Sequence, residues 1–138
     1  MWVVDTCVLV DIADDDPTHA LASAECVAAQ SSKGLLISPV SYVELAPVFA
    51  GSTRWLDEFL AGLGVDASSS LSVADRTVAF RAWARHLMAQ RAGHARRRPP
   101  ADALIGALGL RHDGIITRNA GAFRAFYPKI AIIDPNAR

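Results

Sequence analysis

Hydrophobic positions fall along the chain in two kinds of run. Trp2-Val3-Val4, Leu35-Leu36-Ile37, Ile115-Ile116-Thr117 and Ile130-Ala131-Ile132-Ile133 are short apolar blocks without alternation, which predicts strands buried on both faces. Between them lie longer stretches with helical spacing. An alanine-rich helix is expected from about Thr18 to Gln30. Ser38 as N-cap and Pro39 at the first helical position open another, which carries Tyr42, Glu44 and Leu45 and meets a kink or stop at Pro47. From Ser52 to Leu63, Trp55, Leu56, Phe59, Leu60 and Leu63 share one face, with Gly62 and Gly64 at the end. Ser72-Val73-Ala74-Asp75 resembles a capping box and starts a helix whose apolar face is Val73, Phe80, Trp83, Ala84 and Leu87. Pro99-Pro100 precedes a helix from about Ala101 to Arg111, and a short helix holds Phe123 and Phe126. Trp55 and Trp83, on apolar faces, are expected in the core.

The order β-α-β-α-α-α-α-β-α-β predicts an α/β fold. It is a single domain over 1–138, with a mostly parallel sheet covered by helices on both faces. A chain of 138 residues is long enough to bury a core without disulfides or a structural metal. Its apolar runs are too short for a membrane span, and the start Met1-Trp2-Val3-Val4-Asp5 lacks the basic region of a signal peptide. The two cysteines, Cys7 and Cys26, lack metal-type spacing and read as free thiols of a cytoplasmic protein.

The formal net charge of zero conceals an asymmetry. Residues 1–69 hold two basic and ten acidic residues, whereas residues 70–138 hold twelve basic and four acidic ones. From Arg76 to Arg98 there are seven arginines and no carboxylate. Such a segment suits either a polyanion groove or a solvated helix face. Arg96, Arg97, Arg98 and Arg118 are the candidate contacts to such a polyanion, because a guanidinium pairs bidentately with phosphate. An acidic protein segment would suit the same surface. His86 and His94 are given no role.

In open parallel sheets, sites form at the carboxyl ends of strands. Asp5 follows the first strand, Glu44 lies on the helix after the second, and Asp102 opens a later helix. Each has a plain structural reading: Asp5 as a helix cap, Asp102 as a charge favoured at a helix N-terminus. Glu44 lies among Val40, Val43 and Leu45, an expensive place for a buried carboxylate without a partner. As a set at one sheet edge, three carboxylates repel one another unless protonated or joined by a cation. Hard oxygen ligands select Mg²⁺ or Mn²⁺ over zinc.

Four segments resemble, in order and spacing, the motifs of PIN-domain nucleases, especially the VapC toxins. They are Val4-Asp5-Thr6-Cys7-Val8-Leu9-Val10-Asp11, Ser38-Pro39-Val40-Ser41-Tyr42-Val43-Glu44-Leu45, Ala101-Asp102-Ala103-Leu104-Ile105-Gly106-Ala107, and Gly114-Ile115-Ile116-Thr117-Arg118-Asn119 followed by Phe123. The resemblance implies a PIN-like fold and a Mg²⁺- or Mn²⁺-dependent endoribonuclease that hydrolyses RNA with a metal-activated water. It also implies a homodimer and a cognate VapB-like antitoxin as partner. By position, Asp5, Glu44 and Asp102 are the metal carboxylates, with Thr6 and Thr117 in support. Many relatives carry a fourth acid where this chain has Asn119, whose neutral amide would hold a water rather than neutralise a second ion. A non-catalytic or RNA-processing PIN module is the alternative. A haloacid-dehalogenase-like phosphatase would need an Asp where Cys7 stands.

Overall fold

The computed structural model describes residues 1–93 and 99–137. The sheet contains β1 (Trp2–Val4), β2 (Leu35–Leu36), β3 (Val65–Asp66), β4 (Gly114–Ile116) and β5 (Ile132–Ile133) in the order β3-β2-β1-β4-β5. Every pairing is parallel. The helices are α1 (Thr6–Ala13), α2 (Ala20–Gln30), α3 (Pro39–Glu44), α4 (Thr53–Leu63), α5 (Val73–Arg91), α6 (Pro100–Arg111) and α7 (Ala120–Phe126).

Successive strand residues point to opposite faces, and the core divides accordingly. Val3, Leu36 and Ile115 pack into one cluster with Ala79 and Ala82 of α5, Ile105 and Leu108 of α6, and Phe123 and Phe126 of α7. Val4, Leu35, Ile37 and Ile116 pack into the other with Val8 and Leu9 of α1, Val27 of α2, and Leu56 and Leu60 of α4. Apolar strands without alternation thus lie between two helical layers, as the pattern predicts.

Two elements were not expected from the pattern. The run after Asp5 is helix α1, and Val65–Asp66 adds a two-residue strand at the sheet edge. The edge strand follows Gly64, whose φ of +70° ends α4 in the left-handed region that glycine enters without penalty. Two packing expectations are corrected. Val73 and Phe80 are 69% and 73% exposed, and Ala84 is also exposed; α5 instead buries Asp75, Ala79, Ala82 and His86. The small Ala79 and Ala82 let α5 approach α6 closely, and an Asp75–Arg111 ion pair fixes that rotation. Trp83 is partly buried against the same core. Trp55, in the first turn of α4, is 61% exposed, because the buried stripe narrows to Leu56 and Leu60.

Candidate active site

Strand register builds the centre of the site. Val4 pairs with Ile116, so the next residues, Asp5 and Thr117, leave the sheet side by side. The Asp5 N–H donates to the Ile116 carbonyl (3.0 Å), and the Thr117 N–H donates to the Ile133 carbonyl (3.0 Å). Thr117 Oγ1 then donates to Asp5 Oδ2 at 2.7 Å. Thr117 Oγ1 itself accepts from the Asn119 N–H at 2.9 Å. A hydroxyl has one proton to give, so the Asn119 amide helps direct that proton to Asp5.

Asp5 is also the N-cap of α1, where its Oδ1 accepts from the Thr6 N–H at 2.7 Å. The capping reading of Asp5 is met through Oδ1, while Oδ2 faces Thr117 and Cys7. Cys7 Sγ donates to Asp5 Oδ2 at 3.3 Å and lies 3.7 Å from Thr117 Oγ1. Thr6 Oγ1 donates to Glu44 Oε1 at 2.8 Å, which links the end of α3 to the start of α1. Glu44 is exposed, so the burial cost suggested by its apolar neighbours does not arise. Asp102 lies half-buried in the first turn of α6, a helix that packs against β1 and α3. Asp5, Thr6, Glu44, Thr117 and Asn119 thus form one hydrogen-bonded set, which Asp102 does not join through any of these bonds. Among the described residues, no three His, Cys, Asp or Glu side chains approach closely enough to form a ready-made metal cage.

Asp5 is 6% exposed, and burial pushes its carboxyl above the usual range. The Thr117, Cys7 and Thr6 donors oppose that shift, with a smaller contribution from the Arg118 charge. Burial and the nearby Asp5 charge also push the Cys7 thiol up to about 11. Among the described residues, every hydrogen-bond donor to the Asp5 side chain is neutral, and these three donors leave part of a carboxylate's roughly four acceptor positions open. Carboxylate oxygens are the ligands that a hard divalent ion takes, and Asp5 is joined to Glu44 through Thr6.

Arg118 spends its guanidinium on Asp11, with Nε at 2.7 Å from Oδ2 and Nη2 at 2.8 Å from Oδ1. Arg96, Arg97 and Arg98 lie outside the described residues. Two participants escaped the sequence reading, Cys7 and Asp11. The signal for Asp11 was a carboxylate inside the apolar run of α1, a position that requires a partner when buried.

A family model described as PIN domain matches residues 2–127. No curated protein matches the chain in sequence. Several solved structures share the fold. That of VapBC2 from Rickettsia felis bound to a DNA fragment from their promoter has a TM-score of 0.72 at 15% identity, covering 96% of this chain and 97% of that one. FitAB bound to the IR36 DNA fragment has a TM-score of 0.68 at 16% identity, covering 98% and 95%. FitAcB from Neisseria gonorrhoeae has a TM-score of 0.68 at 18% identity, covering 98% of each chain.

Proposed function

The chain belongs to the PIN domain family, and from that premise we propose that it is a Mg²⁺- or Mn²⁺-dependent endoribonuclease, the toxin of a toxin–antitoxin pair. The observation that carries the catalytic reading is Asp5, a buried carboxylate at the switch point of the sheet whose hydrogen-bond donors among the described residues are all neutral. The motif resemblance to VapC toxins, and the likeness of the fold to VapBC2 and FitAB assemblies, support the toxin reading and a VapB-like antitoxin partner.

Asp5, Glu44 and Asp102 would hold the ion. When bound, it supplies charge neutralisation at a phosphodiester and a lowered pKa for water. The chain's own residues do the positioning. The Thr6 amide and Thr117 hydroxyl fix the two oxygens of Asp5, and the Asn119 amide orients Thr117. The Thr6 hydroxyl holds Glu44 Oε1, which leaves Oε2 as the oxygen to take a proton from water. Exposed Arg76, Arg81 and Arg85 on α5 offer charge to the RNA backbone, and Arg96, Arg97 and Arg98 extend the same basic segment. The protein acts in the cytoplasm as a homodimer. No helix among the described residues is long and apolar enough to cross a membrane.

A binding module without catalysis is the second reading, favoured by neutral Asn119 and the absence of a preformed three-acid cluster among the described residues. Incubation of bulk cellular RNA with wild type and Asp102→Ala, with and without Mg²⁺ or Mn²⁺, separates the two. Metal-dependent cutting that the variant loses is the expected result. A folded wild type that cuts neither tRNA nor rRNA sinks the nuclease reading.

A further inference from the structure

Arg118 stands between two residues of the site, Thr117 and Asn119, yet its side chain turns away from them. It reaches α1 and forms a two-pronged ion pair with Asp11, six residues beyond Asp5. Asp11 is 3% exposed, and its Oδ2 also accepts from Ser23 Oγ of α2 at 2.9 Å. Asp11 lifts the Arg118 guanidinium further toward its charged form.

These bonds act on a short stretch of chain. Regular strand pairing holds it only as far as the Thr117 N–H. Beyond that point, Arg118 and Asn119 bridge to α7 without regular structure. Thr117 Oγ1 must stay near 2.7 Å from Asp5 Oδ2, a geometry that tolerates errors of only about half an ångström in a working site. A buried bidentate ion pair is directional and costly to break from one side. It therefore fixes the bridge to α1 and α2, the same layer that carries Asp5.

We propose that the Asp11–Arg118 pair is a clasp that holds Thr117 against Asp5, making Arg118 a positioning residue of the site rather than an RNA contact. This inference rests on the reading of Asp5 as a working carboxylate. An arginine that left Asp11 for RNA phosphate would leave a buried carboxylate without its counter-ion, a cost that favours the clasp.

The test uses the full chain, a fluorescent RNA oligonucleotide and saturating Mg²⁺. Arg118→Ala is expected to lower kcat about 10- to 100-fold at unchanged KM, as loss of an outer support does in metal sites. The dependence of KM on salt should keep its wild-type slope. Arg118→Lys, a point charge without the planar fork, should remain well below wild type. Asp11→Asn, which leaves the arginine in place, should reproduce the loss and also serves if Arg118→Ala does not fold. The opposite pattern overturns the clasp: a raised KM, a salt slope shallower by about one, rescue by Arg118→Lys and a harmless Asp11→Asn.

Hydrogen exchange of the Asn119 amide, measured without RNA or metal, separates this inference from the nuclease reading. That amide donates to Thr117 Oγ1. Faster exchange in both Arg118→Ala and Asp11→Asn supports the clasp even if wild type cuts no RNA. Unchanged exchange overturns it even if wild type is an active nuclease.

Discussion

Asp5 and Asp75 occupy similar places and receive opposite treatment. Each sits at the N-terminal end of a helix, Asp5 as the cap of α1 and Asp75 as the third residue of a capping box on α5. Their exposures are 6% and 3%. Asp75 meets a cation: Arg111 Nε and Nη2 donate to its carboxylate at 2.9–3.1 Å, and the Ser72 N–H adds a bond of 2.8 Å. Burial alone would raise the Asp75 carboxyl, but those donors outweigh it and hold it below the usual range. Asp5 receives an amide, a hydroxyl and a thiol, and burial wins. A buried carboxylate with no hydrogen-bonded cation among the described residues is held at a cost in stability, which fits the working role proposed for Asp5 and a structural one for Asp75.

The largest test of that contrast is Asp5→Asn. The amide preserves the size of the side chain and an oxygen for the Thr6 N–H, but removes the charge. RNA cleavage should fall by more than about a hundredfold. Thermal unfolding of the metal-free protein should show a Tm equal to or above wild type, since the change removes a poorly compensated charge. A Tm several degrees lower would place Asp5 in the same structural class as Asp75.

Asp75→Ala should do the reverse. It removes both the capping-box return bond and the Arg111 pair, whose arginine is 43% exposed. The loss in urea unfolding should be about 2–3 kcal/mol after allowance for that exposure. Activity per folded molecule should stay at the wild-type level. A drop in kcat at full folding would mean that α5 shapes the site.

Thr117→Val should be milder than Asp5→Asn. It deletes the 2.7 Å donor to Asp5 and keeps the side-chain volume. Mn²⁺ affinity should weaken about 10- to 100-fold, and Thr117→Ser should restore most of it. Equal affinities in the three proteins would show that Asp5 does not depend on its hydroxyl donor.

The smallest effect concerns pH. The Asp75 carboxyl is depressed in the folded state, so its stabilisation is fully present above its ordinary value of 3.8 and disappears as pH falls through the lower folded value. Wild type should therefore lose stability more steeply below about pH 4 than Asp75→Asn does. Parallel acid limbs in the two denaturation profiles would refute the assignment.

The chain order of apolar blocks and helical stretches carried most of the fold, because burial on two sheet faces demands apolar strands whatever the details. Register-dependent features were harder to read. The Asp5–Thr117 bond joins residues 112 apart, and nothing local to either residue indicates that Val4 pairs with Ile116. Rotation of α5 departs from its apolar pattern because Val73 and Phe80 are apolar but exposed, while the buried face is made of alanines, a histidine and an aspartate satisfied by Arg111. Small residues carry little hydrophobic signal although they permit the closest helix contacts. Gly106 of α6 shows the same effect: an added Cβ there would stand 2.6 Å from the Tyr127 ring.

By itself, then, the amino-acid sequence determined a parallel α/β domain, with Asp5 just after a strand, Glu44 at the end of a helix and Asp102 at the start of one. Local patterns of burial and capping suffice for that. Only the tertiary structure decided which buried carboxylates receive an arginine and which receive neutral donors. It assigned Arg111 to Asp75 and Arg118 to Asp11, and left Asp5 with Thr6, Cys7 and Thr117. The physical reason is that charge compensation depends on distance and direction over a few ångströms, and strand register and helix rotation fix both only when distant segments pack.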